Sequence, residues 1–539
     1  MEYNPRVTTV EDKMKLLNRE HIEKILHILI VILVVIQPLI DMDYLFYDFL
    51  NSYGLPRPST IIRFLIIPAL VICSFFLREK KKKRILTIGI IYGVLLAGYF
   101  ILHCRQDTAL YSRLDLTENF RFDTWQELTY VLTLVIPFGV SYFCYHEHFK
   151  SSEIRSICMI LSGMISIPIL IGDLFVFAKS TYYGNTVANL FAWFSGVYKW
   201  YHPRTLASKF FFNEGNTIGI LLFMLLPLMY YYFAKSEEKK QRRRIGTLIL
   251  IQSLSMQILA TRVATYGAVL IPLAFLLLYI IDAKFFTKTK PLKTVLIFCL
   301  CLAALTGSLF EYTPAVQNQK VDAKNDTALL HNGMAALGEA ELANGEDLIP
   351  GTKEYINFYV YMFETYGIKA RYIQSVPSMY YTDYYSYDHD PKFWVDVTFM
   401  PVFDRVSGRQ VETIFFNYKY QKLTSKEKIL GMGYSTFMNG SIVLEQDFKQ
   451  QVYTLGYAGE LLCIMPWIGV CLYGVFMFLK HWKQMISLEN ICLVMSLGAG
   501  LGSAWLSGHM LDQFVTTVFA ALIVAVLLNR VHDAKEVQK

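Results

Sequence analysis

The sequence predicts an all-α polytopic membrane protein with about twelve transmembrane helices and one large extracytoplasmic loop domain before helix 10. The chain of 539 residues is 54% hydrophobic and has a mean hydropathy of +0.35, which is too apolar for a soluble globular protein of this length. Only 18% of the residues are charged. The basic residues form short runs between apolar segments, so the net charge of +7 indicates membrane topology rather than nucleic-acid binding.

Each predicted span is an apolar stretch of roughly 20 residues, the length that crosses a bilayer as a helix. The twelve stretches lie near residues 24–42, 60–77, 85–103, 127–145, 156–178, 214–234, 245–261, 263–282, 294–311, 455–479, 491–508 and 512–529. Basic runs such as REKKKKR after Leu77 and KSEEKKQRRR after Ala234 are typical of cytoplasmic connections. Placing every such run inside is consistent with twelve spans and with both termini in the cytoplasm.

The same topology divides the chain into three parts. Residues 1–311 are expected to form an N-terminal transmembrane bundle of about nine spans, and residues 455–539 a group of three C-terminal transmembrane helices. Residues 312–454 contain no apolar span and are long enough for a small domain of their own. We therefore expect an extracytoplasmic loop domain there.

A tight helical hairpin is predicted over residues 245–282, and Arg262 is the only charge in its interior. The topology places this arginine at the outer turn of the hairpin. One interpretation is a side chain that reaches up to the lipid headgroups. The other is a functional group, because arginine at membrane depth is costly and usually has a role.

A second group of polar residues lies in the stretch HPRTLASKFFFNEGNTIG, at residues 202–219. Arg204 and Lys209 precede the sixth span on the same predicted side as Arg262, and the first turn of that span contains Asn213, Glu214 and Asn216. Asn213 could cap the helix. A helix N-terminus with nearby cations is also suited to an anion, and guanidinium groups suit phosphate in particular.

Carboxylates form the third group. Glu445 and Asp447 lie just before the tenth span, where they are candidates for binding an acceptor hydroxyl or for abstracting its proton. An ordinary solvated loop explains them equally well. His509, at the outer turn between the last two spans, is a further candidate for a base or a phosphate contact.

These motifs together resemble the O-antigen ligase and O-antigen polymerase superfamily, in its Gram-positive-type branch. The similarity rests on FFFNEGNTIGILLFMLLPL at the entry to a mid-chain span, on ILATRVATYGAVL in the hairpin, and on ILGMGYSTF followed by LEQDF. It extends over roughly residues 200–530, and the largest outer loop before span ten fits the same pattern.

The resemblance implies a metal-independent, cofactor-free glycosyltransferase in the bacterial cytoplasmic membrane. It would take a glycan from undecaprenyl pyrophosphate and join it to a hydroxyl of a glycan, lipid or wall polymer. The implied partners are this donor, the acceptor, membrane lipids and other polysaccharide-assembly proteins. Arg262 matches the family's arginine, and Arg204 is a looser match; both would hold the pyrophosphate. From their predicted position on the same outer face, and not from the resemblance, the further substrate-binding candidates are Lys209, Asn213, Glu214, Asn216 and His509.

The base is where the sequence departs from the ligase pattern. In the ligase branch a histidine of the large loop is the proposed base, and His331, in HNGMAALGE, resembles the start of that motif but is distant from span ten. Glu445 and Asp447 occupy the place near span ten. Either a carboxylate is the base or the protein is a polymerase of repeat units rather than a ligase. A transporter or flippase of lipid-linked glycans is the alternative function, and two superposable halves would favour it.

Overall fold

A computed structural model describes residues 10–182, 185, 191–192, 203–321, 334–345, 347–405 and 408–536, and these residues are mainly helical. We number the helices of the bundle in chain order. They are α1 (Val10–Ile40), α2 (Pro58–Arg78), α3 (Lys82–Leu110), α4 (Thr124–Glu147), α5 (Ser151–Leu174), α6 (Gly215–Lys235), α7 (Lys239–Leu259), α8 (Arg262–Ile281), α9 (Lys293–Phe310), α10 (Asp447–Cys463), α11 (Met465–Lys480), α12 (Leu488–Leu506) and α13 (Phe514–Glu536). A two-stranded antiparallel pair joins Lys179–Ser180 to Ser208–Phe210.

The bundle is organised around α6. This helix packs against α5, α7, α8, α12 and α13, and almost its whole surface is buried. Its sequence is apolar on every side, as expected for a helix enclosed by other helices. The first turn of α6 therefore sits at the centre of one end of the bundle, between the ends of its neighbours.

Nine helices in the described parts of the chain are long and apolar enough to cross a membrane. The number is ten if α10 and α11, which meet at an angle of 45°, form one broken span. The chain is thus a multi-pass, all-α membrane protein.

The other two expected spans coincide with α7 and α12, which are helical but less apolar. α7 begins with the basic run KKQRRR, and α12 begins with Leu-Glu-Asn and contains several glycines. The total of twelve therefore stays a prediction.

Short helices fill much of the described part of residues 312–454. They include Met334–Leu342, Lys353–Met362, Pro391–Phe399, Val402–Arg405, Gly408–Gln421, Glu427–Leu430 and Tyr434–Asn439. Buried aromatic side chains of this region form a second apolar core, in which Trp394 and Phe415 are prominent. The core also contains Leu114 and Phe120, which lie between α3 and α4. The connection between those two helices is therefore packed into the same body.

A close glycine contact joins this region to the bundle. Gly431 and Gly456 both have left-handed backbones, with φ values of 89° and 70°, and a Cβ on Gly431 would lie 2.2 Å from the carbonyl oxygen of Thr454. Only glycine allows that backbone conformation and that approach without strain. The contact interrupts α10 at Gly456 and fixes where the preceding segment meets the bundle.

Candidate active site

A cavity of about 1020 Å³ lies among α6, α8 and α12 and is bordered by residues 408–445. The three helices contribute polar groups from the same end: Asn216 is the second residue of α6, Arg262 is the first residue of α8, and Ser507 follows α12. Two or more turns further along, the walls are mainly apolar and include Phe223, Leu270, Ile271 and Met495. The cavity is therefore amphipathic along its length.

Arg262 is the cation whose position the hairpin predicted, and it lines this cavity. Ala260 adopts a left-handed backbone and ends α7, and Thr261 caps α8 by accepting a hydrogen bond from the N–H of Ala264. Gly219 of α6 allows this turn to approach, since a Cβ there would lie 2.5 Å from Thr261 Oγ1. The Arg262 side chain is exposed and has no ion pair or hydrogen bond to any residue that the structure describes. Its charge is available to a ligand, next to the positive end of the α8 dipole.

Lys209 supplies a second positive charge to the cavity wall. It lies on the strand Ser208–Phe210, and its Nζ donates a hydrogen bond to the Asn213 carbonyl oxygen at 2.7 Å. Burial is the main cause that lowers the Lys209 pKa, and Glu214 opposes the shift. Asn213 itself faces a smaller recess near Asp41 rather than the large cavity. The N-cap of α6 is Glu214, not Asn213.

Two further candidates from the sequence, Arg204 and His331, lie partly or wholly outside the described residues. The backbone of Arg204 belongs to the short helix Pro203–Leu206, and its side chain lies outside the described residues. His331 lies wholly outside them.

Glu445 lines the cavity within a small cluster of opposite charges. It accepts a hydrogen bond from Arg409 Nε, and His509 Nε2 lies 3.8 Å from its other oxygen. On the other side of the ring, His509 Nδ1 lies 3.3 Å from Glu214. Burial alone would raise the pKa of Glu445, but His509 and Arg409 outweigh it and lower the pKa to about 2. A carboxylate held so firmly in its charged form is a weak proton acceptor.

The pKa values of the two neighbouring groups, His509 and Glu214, are both raised. Burial would lower the pKa of His509, but the nearby Glu214 and Glu445 carboxylates raise it to about 10. His509 is then a cation over the neutral pH range. Burial is the main cause that raises the pKa of Glu214, and the charge of Glu445 adds to it. His509 thus belongs to the charge balance of the site and is unsuited to be a neutral base.

Asp447, two residues after Glu445, is separate from the cavity lining. It is buried at the start of α10, where its carboxylate accepts hydrogen bonds from the backbone N–H groups of His509, Met510 and Leu511 at 2.7–2.9 Å. Every one of these bonds holds the turn before α13. In this structure Asp447 positions the His509 turn and is not placed to meet a substrate in the cavity.

Two charged cavity residues were missed by reasoning from the sequence: Arg409 and Glu412. Both lie on the helix Gly408–Gln421, three residues apart, so that they share one face. Glu412 is buried, its Oε1 accepts a hydrogen bond from the Tyr380 hydroxyl at 2.5 Å, and its Oε2 has no hydrogen-bond partner in the described chain. Burial is the main cause that raises its pKa to about 7. In the sequence, these two residues could have been noticed as an arginine and a glutamate at helical spacing in a stretch rich in aromatic residues.

The site can therefore offer three groups that face one space: the Arg262 cation, which has no partner among the described residues, the Lys209 cation, and the Glu412 carboxyl group, whose pKa is about 7. A separate buried group, His103, Asp107 and Glu127, could hold a metal ion and does not line the cavity.

The model of the family described as "O-antigen ligase like membrane protein" matches residues 21–534, nearly the whole chain. Every residue that lines the cavity falls within the match. No curated protein and no solved structure matches the chain.

Proposed function

The chain belongs to the family of O-antigen ligase-like membrane proteins, and from this premise we propose a specific reaction for its cavity. Membership indicates a membrane enzyme that transfers glycans and acts on lipid-linked substrates. We propose that the donor is a glycan on undecaprenyl pyrophosphate and that transfer takes place on the outer face of the bacterial cytoplasmic membrane. In this orientation both termini are cytoplasmic and residues 312–454 are extracytoplasmic.

The observation that carries the proposal is the amphipathic cavity. A polyprenyl-pyrophosphate glycan has a charged centre between a long apolar chain and a polar sugar. The Arg262 guanidinium, which is unpaired within the described part of the chain, and the Lys209 ammonium border the polar end, and the apolar walls follow along α6, α8 and α12. Arginine binds phosphate oxygens in bidentate geometry. Phe223, Leu270 and Met495 would then line the path of the first isoprenoid units.

In the proposed step the acceptor hydroxyl oxygen attacks the anomeric carbon of the donor sugar. The bond from that carbon to the phosphate oxygen breaks, and its electron pair stays on the pyrophosphate. Arg262 and Lys209 stabilise the negative charge that develops there, as preorganised cations in a site of low dielectric constant do. Arg204 remains a proposed third cation.

The proton of the acceptor hydroxyl needs a base, and we assign this role to Glu412. A general base is most effective when its pKa lies near the working pH. Glu412 meets this condition because its pKa is about 7, whereas that of Glu445 is about 2. Glu445 then acts as the counter-ion that holds Arg409 and His509 in place. His331 and Asp447 are the weaker assignments for the base.

Reconstitution into vesicles with an undecaprenyl-pyrophosphate-linked glycan and an acceptor tests the function. We expect undecaprenyl pyrophosphate to be released, with one equivalent of new glycosidic bond formed. Chains that lengthen on the carrier would identify a polymerase. The sequence favours this outcome, because no histidine lies next to Glu445. Transfer of a finished chain to another acceptor would identify a ligase. Movement of intact donor across the bilayer without bond cleavage would instead support a flippase and overturn the proposal.

A further inference from the structure

A second group of titratable side chains lies away from the cavity, where α3, α4 and residues 430–436 meet. His103 and Asp107 are one turn apart on α3, and Glu127 is in the first turn of α4. Their exposed fractions are 0%, 3% and 0%. Each of the three can offer one ligand atom, and these atoms lie within 4.8 Å of one another. Three ionisable groups so completely buried require an energetic explanation.

The hydrogen bonds of His103 fix which of its nitrogens carries a proton. Nδ1 lies 2.6 Å from the Leu430 carbonyl oxygen, which can only accept, so Nδ1 is the donor. Nε2 faces two carboxylates at once, with Glu127 Oε1 at 2.9 Å and Asp107 Oδ2 at 3.0 Å. If Nε2 also carried a proton, a single N–H would serve two negative groups.

Protein donors do not satisfy Asp107. Neither of its oxygens accepts a hydrogen bond within the described chain, although both are buried. The Thr436 hydroxyl, which is close to the same space, also has no hydrogen-bond partner there. With both carboxyl groups ionised, a protonated histidine between them would leave a net charge of −1 in a buried site. Such an uncompensated charge is strongly unfavourable.

We propose that His103 Nε2, Asp107 and Glu127 bind a divalent metal cation. Two carboxylates and a neutral imidazole balance the charge of such an ion. The contact from Nδ1 to a backbone carbonyl is the arrangement that orients metal-bound histidines in general. Ligands about 2.0–2.2 Å from a shared ion lie roughly 3 Å apart, which agrees with the spacing around Nε2. One imidazole with carboxylate oxygens favours Zn²⁺ or Mn²⁺ over Ca²⁺, which takes more oxygen ligands.

The role that this ion would have is structural. Glu127 accepts hydrogen bonds from the backbone N–H groups of Tyr434 and Ser435 at 3.0 and 2.7 Å, and His103 contacts the Leu430 carbonyl. The ion would therefore fasten α3 and α4 to the segment that contacts Gly456 and leads to Glu445. It takes no part in the proposed transfer step, so this inference holds or fails independently of the proposed function.

The test is elemental analysis of the full-length protein, purified in detergent without a histidine tag. We expect about one equivalent of Zn²⁺ or Mn²⁺ per chain. Removing it with a chelator should lower the melting temperature, and adding back the same ion should restore it. X-ray absorption at the edge of the bound metal should show one imidazole nitrogen with oxygen ligands and no sulfur.

Variants separate this site from other sites of metal binding. Asp107→Asn and His103→Gln should lose the metal. Tyr99→Phe is the matched control, because Tyr99 stacks on His103 and donates to the Leu455 carbonyl but is not a ligand; it should keep the metal. If the wild-type protein contains no metal and does not gain stability from either ion, the proposal is overturned. Sulfur ligands, or full metal content in Asp107→Asn, would overturn it too.

Discussion

Two regions of the molecule use the same residue types in opposite ways. At the start of α2, Arg63 is buried and pairs with Asp41 at 2.7 Å and with Gln37 at 2.8 Å, while its guanidinium lies over the Phe514 ring. Arg57 pairs with Asp43 beside it. In the cavity, Arg262 has no partner among the residues that the structure describes, and Glu412 has one free oxygen.

The difference separates charges that stabilise the fold from charges that are available to a ligand. In the α2 network the guanidinium groups of Arg57 and Arg63 are paired with carboxylates of the protein itself, so neither charge is left over for a substrate. In the cavity, Arg262 and one oxygen of Glu412 have no hydrogen-bond partner among the described residues, and for the buried Glu412 this is unfavourable unless a ligand supplies one. Position along the sequence does not distinguish the two arginines, since both lie near the ends of apolar helices.

The largest effect is expected for Glu412→Gln. Removing the base should lower the transfer rate about 10²–10⁴-fold, while an amide of the same shape leaves the fold intact. The rate of undecaprenyl pyrophosphate release from reconstituted protein measures the effect. Glu445→Gln is the comparison: it should disturb Arg409 and His509 and lower the rate less. If Glu445→Gln proves the more damaging of the two, the assignment of the base is wrong.

Arg262→Ala should lower the rate about 10²–10³-fold, because one preorganised charge on the leaving group is lost. Its melting temperature should be close to that of the wild-type protein, since the exposed Arg262 side chain has no hydrogen bond or ion pair to the described residues. Arg113→Ala, an arginine that pairs with Glu427 outside the cavity lining, serves as the control and should retain full activity. A marked loss of stability in Arg262→Ala would show that Arg262, like Arg63, stabilises the fold, and would contradict the comparison.

Arg63→Ala should show the reverse behaviour. Removing Arg63 leaves the Asp41 carboxylate with only the more distant Arg57 guanidinium, at 3.6 Å, and we expect a loss of about 3 kcal/mol in the free energy of unfolding. Unfolding by denaturing detergent, followed by circular dichroism, measures it. Protein that remains folded should transfer glycan at nearly the wild-type rate per molecule. A folded but inactive variant would place Arg63 in the reaction.

The transfer rate should also depend on pH in a defined direction. Glu412 must be deprotonated to accept a proton, and its pKa is about 7, so the rate should fall as the pH drops below 7, by about tenfold per unit. His509, with a pKa of about 10, stays charged over this range and should not contribute to the decline. The dependence should disappear from the residual activity of Glu412→Gln; a decline that persists there belongs to another group.

The smallest effect is expected for two asparagines of the sequence LASKFFFNEGN. Asn216 lines the cavity and Asn213 does not. Asn216→Ala should raise the KM for the donor several-fold, the equivalent of about 1 kcal/mol for one hydrogen bond. Asn213→Ala should leave KM unchanged, because the carbonyl that binds Lys209 is retained. Equal effects in both variants would mean that the substrate reaches beyond the cavity described above.

Hydropathy predicted the membrane class and most helices, because apolar length alone decides which segments enter a bilayer. The hairpin with Arg262 at its turn was also predictable, since a single charge between two apolar stretches has few places to lie. Glu412 could not be found in this way, because its role comes from burial against Tyr380, a contact between distant parts of the chain. Likewise, nothing in LEQDF distinguishes Glu445 from Asp447 until the backbone of residues 509–511 folds over Asp447.

The most direct test of the central claim is the affinity for undecaprenyl pyrophosphate, measured by calorimetry in detergent on the wild-type protein, Arg262→Ala and Arg63→Ala. We predict that Arg262→Ala weakens binding at least about tenfold, as the loss of one charge-assisted contact would, and that folded Arg63→Ala binds like the wild type. If Arg262→Ala binds the diphosphate as tightly as the wild-type protein, the unpaired arginine does not hold the leaving group, and the cavity is not the donor site described above.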